Sequence, residues 1–229
     1  MRLVLLQPSY LPWIGCMSQM DMADIFVVYS DCQYTKNDWR NRNRIKTQQG
    51  IQWITVPVIA NNFPLIKDVK IDNHDNWAIK HLKSIKQNYS RAPYFKDYIG
   101  IFEEIYSKSW EYLLELDMAF ILKLKDVLGI KAQIEYSSNL DLKGNRIEKL
   151  IDCCIKLKAK EFLEGHAGKG YLQGEGEQLF KEAGINLVYQ DYNHPVYPQL
   201  YGEFVSHLSV IDLLFNCGKE SLNVIRQGR

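Results

Sequence analysis

The spacing of apolar positions changes several times along the chain, and each change marks an element. "RLVLL" (Arg2–Leu6) and "DIFVVYS" (Asp24–Ser30) are short, unbroken apolar runs. Such runs predict strands covered on both faces, as in parallel sheets. The first stops at Gln7-Pro8, because proline has no N–H for a central ladder. "SYLPWIG" reads as a loop and "CMSQMDMA" (Cys16–Ala23) as a short helix. This β-loop-α-β opening predicts parallel pairing through a right-handed crossover. "DWRNRNRIK" (Asp38–Lys46) and "IQWITVPV" (Ile51–Val58) flank the turn-like "TQQG", which predicts a hairpin. "PLIKDVKID" adds one further short strand.

From Trp77 to Leu128 the period becomes helical. "WAIKHLKSIKQNY" sets Trp77, His81, Ile85 and Tyr89 at i, i+4 spacing on one side. "PYFKDYIGIFEEIY" opens with proline at a first helical turn, and "WEYLLELDMAFILKLKDVLG" stops at Gly129. These three helices form a block over 77–128 between two β-rich halves. The second half alternates: strand "KAQIEYSS", helix "NRIEKLIDCCIKLKA", strand "KEFLEG", the loop "GHAGKGYL", helix "EGEQLFKEAG" and strand "INLVYQDY". The proline-punctuated loop "NHPVYPQLYGEF" and the helix "VSHLSVIDLLFNCG" complete the chain. The expected architecture is one α/β domain over 1–229. It has a mostly parallel, open, doubly wound Rossmann-like sheet, a β-hairpin and the helical block.

Composition narrows the function classes. A net charge of +1 gives no bulk attraction to nucleic acid or membrane, so anion recognition must be local. The five cysteines are odd in number and show no C-x-x-C spacing, which fits a reduced compartment rather than a disulfide framework. The N-terminal apolar run is too short for a signal peptide, no run reaches transmembrane length, and a cytoplasmic protein is expected. There is no H-E-x-x-H, no paired Cys/His spacing, no G-x-S-x-G and no strand-following G-x-G-x-x-G. A metal site, a serine hydrolase and NAD binding therefore have no support.

In an open parallel sheet, ligands sit beyond the carboxyl ends of the strands. Four strand-following loops should converge on one rim. They carry Gln7, Tyr10, Trp13 and Gly15; Asp31, Gln33 and Tyr34; Glu164, His166, Gly168, Lys169 and Tyr171; and His194, Tyr197 and Gln199. Gly15 permits close backbone approach at a helix start, where free N–H groups attract anions. If "DWRNRNRIK" is extended, Arg40, Arg42 and Arg44 share one face, with Asn41 and Asn43 opposite. Such a row either clamps phosphate or carboxylate or is a charged strand edge that blocks aggregation. Spacing alone leaves both readings open. In "GHAGKGYL" the Walker A pattern is absent. His166 can act as a base and Lys169 can neutralise phosphate, and a plain βα turn serves equally. His194 sits on a loop stiffened by prolines, and Asp212 in an apolar helix requires a partner and reads as a structural tether.

The segment Pro12–Cys16 lies where the nucleotidylyltransferase superfamily carries H-x-G-H after its first strand, but both histidines are missing. That departure argues against ordinary nucleotidyl transfer; the alternative the resemblance implies is a nucleotidylyltransferase-like enzyme that activates a carboxylate or sugar with ATP. Over nearly the whole chain, "LQPSYLPWIG", "DWRNRNRIK", "WITVPV", "HPVYPQ" and "LSVIDLLFN" resemble the WbqC-like protein family. "GHAGKGYL" is similar to that family's S-G-P-x-G-x-x-Y-L segment. Gly165, Gly168, Tyr171 and Leu172 match it, while Glu164 and His166 stand in place of Ser and Pro. The resemblance implies O-antigen and other surface-polysaccharide biosynthesis alongside amino-sugar pathways. The inferred chemistry is acyl or aminoacyl transfer that forms an amide on a nucleotide-linked amino sugar. The donor is open among acyl-CoA, aminoacyl-tRNA, a carrier-protein thioester and ATP-activated acid. On this reading Arg40, Arg42, Arg44 and Lys46 hold phosphate or carboxylate, and Gln7, Asn41 and Asn43 hydrogen-bond the sugar or acyl group. Tyr10 and Trp13 stack on a ring, and His194, with His166 second, is the base. A non-catalytic nucleotide-sugar binder or scaffold is the remaining alternative.

Overall fold

In the computed structural model, which describes residues 1–229, the two unbroken apolar runs lie side by side at the centre of the fold. They are β1 (Arg2–Leu6) and β2 (Ile25–Val28), joined through α1 (Ile14–Met22). They pair in parallel, with Leu3 opposite Ile25 and Leu6 opposite Val28. Then come the hairpin strands β3 (Arg42–Thr47) and β4 (Gly50–Thr55) and the short strands β5 (Val58–Ile59) and β6 (Lys70–Ile71). The helical block is α2 (Trp77–Tyr89), α3 (Phe95–Tyr106) and α4 (Leu113–Leu128). The remainder runs β7 (Gln133–Tyr136), α5 (Arg146–Lys156), β8 (Glu161–Glu164), α6 (Lys169–Leu172), α7 (Glu175–Glu182), β9 (Asn186–Tyr189), α8 (Val210–Cys217) and α9 (Ser221–Arg226).

The five-stranded sheet has the order β7-β2-β1-β8-β9 and is parallel throughout. The chain builds outward from β1 to β2 to β7, then crosses to the other side of β1 for β8 and β9. The order therefore reverses between β1 and β8. At such a reversal the flanking loops leave on opposite faces and open a crevice at the strands' carboxyl ends.

Both faces of the sheet are covered. Val4, Phe26 and Val28 pack into a large core shared with Phe102, Leu116 and Phe120 of the helical block and with α8. Leu3, Leu5, Ile25 and Val27 face a smaller core built from Leu150, Cys153, Leu172 and Phe180. α4 buries Leu113, Leu116, Phe120, Leu124 and Leu128 along one stripe and ends on Gly129 in the left-handed conformation (φ 74°). α5 starts with a capping box in which Asn145 and Glu148 satisfy each other's backbone N–H groups.

The fold is Rossmann-like α/β with an added hairpin, as the apolar pattern predicts. In the hairpin Thr47 faces Gly50 across a turn of Gln48 and Gln49. Three local features differ from expectation. "GHAGKGYL" is wound into a 3-10 turn (His166–Gly168) and α6, not an open loop. α9 follows α8 after a short turn, beyond the last apolar pattern. Strand β3 begins only at Arg42. Arg40 is held in a turn, because Tyr10 N donates to the carbonyls of Trp39 and Arg40 (3.1 and 3.2 Å). No helix is long and apolar enough to cross a membrane.

Candidate functional site

A cleft of about 750 Å³ opens at the carboxyl ends of β1 and β8, where the strand order reverses. Gln7 leaves β1 into it and Glu164 ends β8 in it. Tyr29, Cys32 and Gln33 arrive from the segment after β2, Arg40 from the approach to the hairpin, and Arg146 from the start of α5. Gly168 and Tyr171 close the last side.

Arg40 is pre-positioned. One terminal nitrogen donates to the carbonyls of Gln7 (3.1 Å) and Pro8 (3.4 Å). Its Nε lies 3.5 Å from Asp38 Oδ2, an ion pair too poorly aligned to count as a hydrogen bond, so that donor is unspent. The side chain is only 15% exposed, which concentrates its charge at the cleft wall. Close to it, Asp117 of α4 is fully buried with both carboxyl oxygens unpartnered. Burial holds its pKa well above the usual carboxylate range, against the pull of Arg40.

Arg146 brings the second guanidinium, centred 3.5 Å from the ring centroid of Tyr171. Stacking uses the flat face of the cation and leaves its in-plane N–H donors for an anion. Tyr171 in turn donates its hydroxyl to Glu164 Oε2 (2.9 Å), and Gly165 N donates to Glu164 Oε1 (3.0 Å). Burial raises the Glu164 pKa, more than the Tyr171 and Gly165 donors and the Arg146 charge lower it. Gly168 makes this seat possible, since a Cβ there would lie 2.1 Å from Glu164 Cγ. Cys32 accepts from Gln7 Nε2 (3.1 Å) and donates to the Tyr29 carbonyl (3.3 Å). Burial pushes its thiol up to about 11, so it is a protonated wall and not an activated nucleophile.

Of the residues expected at a site, the cleft brings together Gln7, Gln33, Arg40, Glu164, Gly168 and Tyr171. His166 and Lys169 are exposed just beyond, with Lys169 Nζ 5.5 Å from the Tyr189 ring centroid. Gly165 is packed on Gln19, where a Cβ would lie 3.1 Å from Nε2. Other expected residues form separate groups. Trp13 stacks on His207 (5.0 Å) and His194 (6.3 Å), and its ring fills the space a Cβ on Gly15 would need. In that cluster His194 Nδ1 bonds the Pro195 carbonyl (2.9 Å), and burial lowers its pKa, so it is a neutral imidazole with an unpartnered Nε2.

Tyr10 is fully buried, and its hydroxyl meets His81 Nδ1 (2.9 Å) and the Tyr106 hydroxyl. Asn43 donates to the carbonyls of Tyr10 (3.2 Å) and Leu11 (2.7 Å), and Asn41 to that of Val56 (2.8 Å). Arg42 and Arg44 share a face of β3, as alternation requires. They lie over Trp53 (4.4 Å) and Trp39 (5.4 Å), and Arg44 also donates to the His207 carbonyl (2.7 Å). Lys46 is buried and donates to Gln199 Oε1 (3.1 Å). Asp212 accepts from the Tyr89 hydroxyl (2.9 Å) beside the buried Tyr197, and burial pushes its pKa up to about 6.

Sequence reasoning did not single out Arg146 or Cys32. Arg146 carries no motif, and only the crossover to β8 brings it to Tyr171. Glu164 was visible as a strand-end carboxylate, but its burial was not.

The family model described as the WbqC-like protein family matches residues 7–224. An uncharacterized protein of Mycobacterium tuberculosis, Rv1507c, is 35% identical over 232 residues, covering 100% of this chain and 99% of that one. No solved structure matches.

Proposed function

The chain belongs to the WbqC-like protein family, and from that premise we propose that it is a biosynthetic transferase forming an amide on a nucleotide-linked amino sugar. The setting is surface-polysaccharide (O-antigen) precursor synthesis. The observation that carries the proposal is one cleft at the strand-order reversal. It presents two guanidinium groups, Arg40 and Arg146, beside a carboxyl of raised pKa, Glu164.

A diphosphate or the donor's carboxyl-derived group fits Arg40 and Arg146, because planar guanidinium binds such oxygens in pairs. Glu164 takes a proton from the attacking sugar ammonium. The freed amine attacks the acyl carbon, a C–N bond forms, the bond from that carbon to the donor's leaving atom breaks, and the second proton shed by the nitrogen goes to the leaving atom. The leaving atom departs as a thiol, hydroxyl or phosphate, depending on the donor. A carboxylate whose pKa is raised by burial is a stronger base than an exposed one, and such catalysis contributes about 10²–10⁴-fold. We give this role to Glu164 ahead of His166 and of His194, which sits in the Trp13 cluster.

The test is amide formation, followed by mass spectrometry, from nucleotide-linked amino sugars and a panel of acyl-CoA, aminoacyl-tRNA, carrier thioester and acid-plus-ATP donors. Glu164→Gln should reduce turnover about 100-fold or more with little change in substrate affinity. Arg146→Ala should act mainly on affinity. Wild-type rates in both variants would overturn the reading. The doubly wound sheet also suits an ATP-dependent activating enzyme; release of pyrophosphate from acid and ATP alone would favour that reading. Unchanged ligand binding with no product from any donor would favour a binder or scaffold.

A further inference from the structure

The cleft does not end at Gln33. Gln33 is also a wall of a second depression, of about 640 Å³, whose other sides are the segments 34–36 and 60–64. We propose that this second chamber is the acceptor subsite and takes the sugar ring of the substrate; the proposal rests on the reading of the cleft given above.

The chamber is firmly built at its base. Tyr34 N donates to the Pro64 carbonyl (2.9 Å), and Ile66 N donates to the Cys32 carbonyl (2.9 Å). Gln33 and Leu65 form an antiparallel bridge between them. Opposed backbone bonds of this kind hold the two walls at a set separation.

Its lining has a mixed character. Phe63 is 79% exposed and so contributes almost nothing to the core. It follows Asn62, and both residues have left-handed backbones (φ 52° and 58°). A bulky non-glycine residue seldom adopts that conformation, and strain of this kind is found where the surroundings enforce it, often at ligand contacts. The same depression is lined by Gln33, Asn61, Asn62 and Thr35, residues that carry amides and a hydroxyl. Neutral amides and a hydroxyl offer both donors and acceptors, as a ring bearing hydroxyls requires. The phenyl face suits the ring's C–H side, and one apolar face with convergent polar groups is the usual makeup of a small-molecule site. A phosphate would find only Lys36 here, whereas Arg40 and Arg146 lie across Gln33. A diphosphate in the cleft and its attached sugar in the chamber thus match the charge on each side of Gln33. For a 2-amino sugar, whose amine neighbours the anomeric phosphate, this arrangement turns the amine toward the cleft that holds Glu164.

Calorimetric titration of the full chain with UDP and with UDP-glucosamine tests this. UDP-glucosamine should bind about tenfold more tightly than UDP, the size of a ring-stacking contribution. Phe63→Ala should abolish that advantage and leave UDP affinity unchanged, while Phe63→Trp should keep it. No advantage in the wild type, or an advantage that persists in Phe63→Ala, would overturn the chamber while leaving the cleft reading in place. If neither nucleotide binds, the cleft reading fails, and methyl glucosaminide followed by amide NMR decides the chamber alone. Shifts at millimolar sugar confined to 33–36 and 60–64 would sustain it; none would overturn it.

Discussion

Glu164 and His81 show how burial sets charge in this molecule with opposite consequences. Burial favours the uncharged form of each, so it raises the carboxyl and lowers the imidazole. In Glu164 the result is a candidate base. In His81, which pairs with the Tyr10 hydroxyl, the pKa is pushed down to about 4, and the effect falls on stability. Above pH 6.5 the ring is neutral both folded and unfolded, and it costs nothing. Between 6.5 and about 4 the unfolded chain binds a proton that the folded chain refuses, so stability falls as pH falls. The loss approaches about 3 kcal/mol by pH 4. Urea unfolding of wild type and His81→Gln at pH 7 and pH 4.5 should show the wild type losing relative ground at the lower pH. A pH-independent difference would contradict the buried neutral ring. Gln7, Arg40 and Tyr171 could be picked out in the sequence because strand ends and clustered arginines carry chemical types. Arg146 could not, because its importance lies in stacking on a ring that is distant in sequence.

At the scale of elements, the hairpin is the clearest case of period read correctly and context missed. Alternation along β3 puts Arg42 and Arg44 on one face, and the structure has them there. Alternation could not reveal that Trp39 and Trp53 cover their faces. Nor could it reveal that Arg40 is turned toward the cleft by the Tyr10 N–H. Asn43 fastens the hairpin to the loop after β1 through two carbonyls. Asn43→Ala would leave those acceptors buried and unpaired at a cost of roughly 2–3 kcal/mol, measurable by denaturant titration. Because Tyr10 is also the residue whose N–H holds the Arg40 carbonyl, loosening its loop should lower ligand affinity at the cleft as well. An unchanged midpoint would mean the hairpin is held elsewhere. In "GHAGKGYL" three glycines suggested an open loop, but Leu172 packs in the smaller core beneath the sheet and winds the segment into helix.

For the molecule as a whole, we propose that the chain unfolds as one unit, because the helical block is not a separate layer with its own core. Phe102, Leu116 and Phe120 share a single apolar cluster with Val4, Phe26 and Val28 of the sheet. Calorimetry should therefore give one transition with equal calorimetric and van't Hoff enthalpies. Two resolved transitions would assign 77–128 an independent existence. The local pattern by itself determined most of the strands and helices, though not α6 or α9, and a mostly parallel sheet, since unbroken apolar runs and i, i+4 stripes are short-range consequences of what each face must bury. It also made visible the family to which the chain belongs, through strings such as "DWRNRNRIK". Only the tertiary structure decided where the strand order reverses, and so which strand ends share a cleft. Arg146, Tyr171 and Glu164 meet there, and Arg40 parts from Arg42. Those contacts join residues far apart in the chain, and no periodicity within a segment carries information about its distant partners.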